Sequence, residues 1–290
     1  MKKVLLDTDI GSDIDDAVSL AYLLSHKECD LMGITTVSSE TEKRAQLASA
    51  MCKAAGKNIP IYPGIENPLI ICQKQTSAKQ HESIGKWDYE SEFPRFEAVE
   101  FLRRTIRENP NEITLLAIGP MTNIAVLFTV DPEIPHLLKE LVLMCGIFTD
   151  DNRVECNAMY DPHAAFMVYN APVKVHRSVG LDVTLKVVMT KNEVLKRFQA
   201  DILKPVVDFA GVWFERFDTI TFHDPLAAVT IFNDSICGFE KGNVEVELSK
   251  EGLCGCTRWN PDAQNGKHEA AFTVDADSFV KHYFKIVNGA

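Results

Sequence analysis

The chain has 290 residues, 46% hydrophobic and 24% charged, which suits a globular protein with a substantial core. Its formal net charge of −11 excludes a nucleic-acid partner, because gripping a phosphate backbone needs a basic face. No apolar run approaches membrane-spanning length, and the run after the basic start stops at Leu6, too short for a secretory leader.

The chain is organised around residues 4–17. An apolar run (Val4, Leu5, Leu6) gives way to five aspartates, Asp7, Asp9, Asp13, Asp15 and Asp16, with Gly11 among them. Apolar residues then recur at helical spacing (Val18, Leu20, Ala21, Leu24), so the stretch reads as buried strand, tight turn and helix start. One or two aspartates suit a helix N-terminus. Five crowded carboxylates repel one another, and a hard divalent cation among them would make the arrangement tolerable. Oxygen-rich sets of this kind suit Ca²⁺ or Mg²⁺. An over-capped helix is the plainer alternative.

Residues 31–37 form a second apolar, β-branched run, followed by Ser38, Ser39 and Glu40. Residues 41–55 have helical spacing and end at Gly56, and 59–62 read as a short strand. The stretch 71–94 is polar and aperiodic, carries His81, Trp87 and Tyr89, and is a candidate lid. Helices are expected at 96–108, from Gly119-Pro120 to about Val130, and from Asp161-Pro162. Strands are expected at 112–118, 141–145 and 173–176. Residues 191–217 read as mostly helical, with Pro205 separating two helices. The aromatic stripe Phe209, Trp213, Phe214 and Phe217 is assigned mainly to the core. His223-Asp224-Pro225 opens a further helix; 243–248 alternates as a strand with 268–274 as its partner, and 275–287 closes the chain as a helix. The eight cysteines are dispersed, as in a cytoplasmic protein with reduced thiols, and Cys254-Gly255-Cys256 has no second pair for zinc.

No repeat or linker interrupts the chain, so residues 1–290 read as a single domain. Alternating strands and helices predict the α/β class: an open, mainly parallel, Rossmann-like sheet flanked by helices, with a small C-terminal antiparallel strand pair. Ligands of such folds sit at the carboxyl ends of the strands. The aspartates, 38–40, 119–123 and 146–157 all follow predicted strands.

Six short motifs occur in order: DTDIGSDIDDA (7–17), GPMTN (119–123), VLMCG (142–146), ECN with DPHAA (155–157 and 161–165), VGLDVT (179–184) and HDPLA (223–227). On these the chain resembles the inosine–uridine preferring nucleoside hydrolases, over about residues 3–257. The resemblance implies the nucleoside hydrolase fold, bound Ca²⁺, and hydrolysis of the N-glycosidic bond of inosine- or uridine-like ribonucleosides to ribose and free base. Asp9, Asp16, Asp224 and the backbone carbonyl of Thr122 match the metal ligands. Asp9 also matches the general base for a metal-bound water. Asp15, Glu155 and Asn157 match groups that hold ribose hydroxyls, with Asn152 a further candidate, and Met144 matches a residue lining the sugar pocket. His223 matches a histidine beside the departing base, a candidate general acid. Relatives are dimers or tetramers, so a homo-oligomer acting on a small-molecule nucleoside in purine and pyrimidine salvage is expected.

The chemistry is consistent with those roles. Breaking a ribosyl C–N bond builds positive charge on the sugar, which carboxylates stabilise. A cation orients hydroxyls and acidifies a bound water, and a histidine supplies a proton near neutral pH. Each role has a plainer competitor: His223 or Asp224 as helix cap, Glu155 and Asn157 as solvated loop residues. Asp182 reads as structural.

Some residues depart from the family pattern. The first motif is two residues longer than the common DxDPGxDDA form, with Ile10 for Pro, so Asp13 is open to a role. Ser39-Glu40 stand where relatives often carry Gly-Asn, and His81-Glu82 where they carry His-Gly. A nucleoside- or ribose-binding protein with a decayed site is therefore one alternative. A metal-dependent phosphohydrolase using Asp7 or Asp9 is another, disfavoured by Gly11.

Overall fold

β1 (Lys2–Thr8) lies inside the sheet because its apolar residues serve both faces: Val4 and Leu6 enter one core and Leu5 the other. The computed structural model describes residues 1–150 and 152–289. From β1 the sheet grows outward through β2 (Cys29–Thr36) and β3 (Ile61–Pro63), both parallel. The chain then returns to the other side of β1 as β4 (Ile113–Ala117), β5 (Glu140–Leu143) and β6 (His176–Ser178), again parallel. This reversal places a topological switch point between β1 and β4, where open α/β sheets leave a ligand crevice.

β7 (Val188–Thr190) and β8 (Thr219–Thr221) form a separate antiparallel ribbon. β9 (Cys237–Val246), β10 (Thr257–Pro261) and β11 (His268–Val274) extend the main sheet, giving the order β10-β9-β11-β6-β5-β4-β1-β2-β3. The partner expected for 243–248 is 268–274; instead 268–274 (β11) pairs antiparallel with the earlier half of β9, residues 237–242, and residues 243–246 pair with β10. The β9–β11 pair is annexed to the large sheet through a parallel β11–β6 contact, and β10 adds a third strand that the polar sequence around it concealed.

The helices follow in chain order: α1 (Asp15–Ser25), α2 (Thr41–Ala54), α3 (Ala98–Glu108), α4 (Thr122–Val130), α5 (Ile134–Leu137), α6 (Cys156–Tyr160), α7 (Pro162–Tyr169), α8 (Leu181–Thr184), α9 (Lys191–Arg197), α10 (Lys204–Trp213), α11 (His223–Phe232) and α12 (Ala276–Val287). α1, α2, α10, α11 and α12 cover the Leu6 face; α3, α4 and α7 cover the Leu5 face. α1 is buried from Asp15 to Leu24, as its near-continuous apolar composition requires. α3 starts two residues later than expected, because Phe96 takes a left-handed φ of 62°. Pro205 sits in the first turn of α10, which separates it from α9 as predicted. Among the described residues no helix is long and apolar enough to cross a membrane.

Candidate active site

Two helix N-termini meet beside the switch point. Asp15 and Asp16 occupy the first turn of α1, Asp224 the first turn of α11, and the two helices pack together. One carboxylate oxygen from each of the three lies within 4.8 Å of the others. Thr8 donates its hydroxyl to Asp16 Oδ1, and the Asp224 N–H donates to Asp15 Oδ2. All three acids are buried, and burial followed by repulsion from neighbouring aspartates, Asp9 and Asp13 among them, pushes each well above the ordinary carboxylate range. The positive ends of both helices temper that repulsion.

Asp9 lies in the turn after β1. Its Oδ2 accepts from Gln75 Nε2 at 2.6 Å, and burial raises its pKa against the opposing pull of Arg44 and Gln75. Across the switch point Gly119 comes so close that a Cβ there would stand 2.8 Å from Asp9 Oδ1. In the same turn Gly11 takes a φ of 115°, which favours glycine. Asp13 is pushed up to about 6, chiefly by burial.

Asp9, Asp13, Asp15, Asp16, Asp224 and Gln75 line a cavity of about 610 Å³, together with Met144, Glu155, Asn157 and His223. Glu155 caps α6, accepting from the N–H groups of Asn157, Ala158 and Gly146 at 2.8, 3.0 and 3.3 Å. Asn157 Nδ2 bridges the carbonyls of Ile118 and Met144, both at 2.9 Å, and so ties the ends of β4 and β5. Both side chains are buried, which removes the solvated-loop reading. His223 caps nothing; its Nδ1 pairs with Thr184 Oγ1 at 2.7 Å, and burial pushes the imidazole down to about 4. The ring is therefore neutral at pH 7, a state that can donate an N–H hydrogen bond.

One expected residue lies elsewhere: Asn152 is exposed, its N–H on Asp150 Oδ1, and it does not line the cavity. The side chain of Thr122 is turned to Asp161 Oδ2 at 2.7 Å, which leaves its backbone carbonyl, the atom expected at the metal, untouched by that bond. Asp182 is structural as expected, accepting from the N–H groups of Phe148 and Thr149.

The irregular stretch 71–94 forms a wall of the cavity through Lys74, Gln75, Thr76, Ser77 and Lys79. It is fastened down: the Gln80 N–H donates to the Gly11 carbonyl at 3.1 Å, and Trp87 Nε1 to Asp208 Oδ2 at 3.1 Å. Ser39 and Glu40 serve the same fastening. Ser39 Oγ donates to the Gln75 carbonyl, and Glu40 Oε2 accepts the Ala78 N–H at 2.8 Å. Neither lines the cavity, and the Glu40 carboxylate is paired with Lys43. His81 pairs with Gln46 outside it.

Sequence reasoning missed the apolar wall. Trp213 and Phe217 stack at 4.2 Å and line the cavity with Tyr160, whereas Phe209 and Phe214 of the same stripe are core. α10 ends at Trp213, so helical spacing stops indicating faces there. Gln75 and Arg44 carried no sequence signal at all.

The donor set fits a hard divalent cation. Three buried carboxylates converge, and Arg44 gives its Nη1 to the backbone carbonyls of Asp9 and Ile10 rather than to a carboxylate.

Residues 4–281 match the family described as inosine-uridine preferring nucleoside hydrolase. The chain is 31% identical to an inosine-uridine preferring nucleoside hydrolase of Leishmania major, covering 96% of this chain and 95% of that one. It is 26% identical to uridine nucleosidase 1 of Arabidopsis thaliana, over 97% and 91%. Its fold superposes on a solved plant nucleoside hydrolase with a TM-score of 0.86 at 24% identity, covering 100% and 99% of the two chains. The buried aspartates, the cavity they line and the full-length match agree: the chain belongs to the inosine-uridine preferring nucleoside hydrolase family of enzymes.

Proposed function

We propose that this enzyme hydrolyses the N-glycosidic bond of uridine- or inosine-like ribonucleosides in a Ca²⁺-dependent reaction. The observation that carries the reading is the grouping of Asp15, Asp16 and Asp224 within 4.8 Å inside a cavity large enough for a nucleoside. Asp16 and Asp224 would hold the ion with Asp9 and the Thr122 carbonyl, the set that the family resemblance names, and Asp15 beside them would hold a ribose hydroxyl or add a further carboxylate to the ion. When bound, the ion supplies a fixed positive charge that orients ribose hydroxyls and acidifies water.

The chain's own residues supply the rest. Asp9 accepts a proton from the attacking water as the new C1′–O bond forms. Glu155 and Asn157 hold ribose hydroxyls, and Met144 packs against the sugar. As the C1′–N bond breaks, the surrounding carboxylates stabilise the positive charge that develops on the ring. His223, fixed by Thr184, is neutral and gives an N–H hydrogen bond to the departing base, which leaves with the C1′–N electron pair and takes its proton from solvent, while Asp9 returns the water's proton to solvent. Trp213 and Phe217 offer a flat apolar wall to the base.

The test is a nucleoside panel assayed for reducing sugar, with and without chelator. Sugar release that chelator abolishes and Ca²⁺ restores supports the reading; no release from any nucleoside defeats it. The same reading expects a homodimer or homotetramer in the cytoplasm, which light scattering and cell fractionation check.

A further inference from the structure

The Asp9 carboxylate is held by groups that the steps above do not use. Gln75 Nε2 donates to Asp9 Oδ2 at 2.6 Å. Behind Gln75 lies Arg44, on α2 and wholly buried at 0% exposure. Its Nη2 donates to Gln75 Oε1 at 3.4 Å and its Nε to the Ser39 carbonyl at 2.7 Å. Its Nη1 donates to the carbonyls of Asp9 and Ile10 and, at 3.0 Å, to Ser12 Oγ. One rigid guanidinium fork thus serves the aspartate turn and the glutamine together, an arrangement a flexible ammonium does not reproduce. Gln80 joins the same two segments, donating to the Ser12 and Asp13 carbonyls at 3.2 and 2.7 Å.

We propose that Gln75, aimed by the buried Arg44, is the positioning residue that sets the direction of the Asp9 carboxylate. This rests on the reading of Asp9 as proton acceptor. The amide holds Oδ2, and the backbone of Gly119 lies near enough on the Oδ1 side to leave no room for a Cβ. Without the amide the group rotates, and a misplacement of about 1 Å costs on the order of a hundredfold in rate. Arg44 does not line the cavity, so it aims the carboxylate through Gln75 and the turn, while its charge, which Arg44→Lys keeps, acts on Asp9 as well.

The experiment is steady-state kinetics at saturating Ca²⁺, with calorimetric Ca²⁺ titration, on the wild type, Gln75→Leu, Gln75→Glu and Arg44→Lys. Gln75→Leu is expected to lose at least about tenfold in kcat, with KM and the Ca²⁺ Kd each within about threefold of wild type. Gln75→Glu keeps the size but replaces the donor with an acceptor, and is expected to lose at least as much. Arg44→Lys keeps the buried charge and is expected to lower kcat less, again without moving KM. Wild-type kcat in Gln75→Leu overturns the inference, as does a loss confined to KM or one that excess Ca²⁺ repairs. A wild-type protein that releases sugar from no nucleoside overturns the reading beneath it, and the inference with it.

Discussion

The backbone N–H of Asp224 donates to the Asp15 carboxylate, 209 positions earlier, at 3.1 Å. The bond locks the start of α11 onto the start of α1. It also fixes two of the three converging carboxylates before any cation arrives.

Asp15→Asn keeps that acceptor and removes one charge. At pH 8, in chelator, the variant is expected to melt about 2 °C above wild type, since about 1 kcal/mol of repulsion shifts a chain of this size by that much. Added Ca²⁺ is expected to stabilise it less than wild type, and nucleoside hydrolysis to fall at least about a hundredfold. Scanning calorimetry with and without Ca²⁺ checks this; a lower melting point in chelator would show that the acids do not oppose folding.

Gly119→Ala places a methyl 2.8 Å from Asp9 Oδ1 and 2.9 Å from Val37 Cγ1. Both neighbours are buried, so one must yield. The expected outcome is a loss of about a hundredfold in kcat and about 1–3 kcal/mol in stability. Kinetics and denaturant melts of the variant measure both; wild-type kcat would show that Asp9 has room to move.

His223 carries a pKa of about 4 because its ring is buried. A base lowered this far is neutral from about pH 5 upward, so it contributes no inflection near the ordinary value of about 6.5. His223→Gln is therefore expected to lower kcat while leaving the shape of the rate profile between about pH 5.5 and 8 unchanged. A wild-type inflection near 6.5 that vanishes in the variant would contradict this.

His176 is fully buried, stacked at 5.2 Å on Tyr169 and 4.7 Å from the His268 ring, with neither ring nitrogen hydrogen-bonded. Burial, with His268 adding to it, holds it well below its ordinary value. The folded state keeps it neutral, while the unfolded chain takes up a proton below about pH 6.5. Its contribution is thus fully present above about 6.5 and is lost as pH falls toward the folded-state value. His176→Phe is expected to recover about 2 kcal/mol at pH 5 relative to pH 7. Urea melts at both values test this; an unchanged difference would exclude His176 as the source.

The parts of the site that were legible in the sequence sit where a strand ends. Asp9, Gly119 and Met144 follow runs whose apolar character marks them as β1, β4 and β5, and the fold then brings strand ends together. Asp224 was legible because Pro225 marks a helix start. Arg44 and Gln75 were not, because an arginine at helical spacing on a polar-looking helix reads as solvated. Gln75 lies in a segment with no period at all. The placement of Asn152 failed for a similar reason: its loop carries no pattern that fixes which side chain turns inward.

The two outermost strands, β3 and β10, both close on proline. On β3 the groups of Pro60 and Gly64 bond inward to β2, which by alternation turns Pro63 outward. On β10 the groups of Cys256 and Asp262 bond inward to β9, which turns Pro261 outward. Each outer edge therefore lacks a donor at its closing proline. At β10, where Pro261 is exposed, a strand laid alongside would find its ladder interrupted, which discourages edge-to-edge growth of the sheet there.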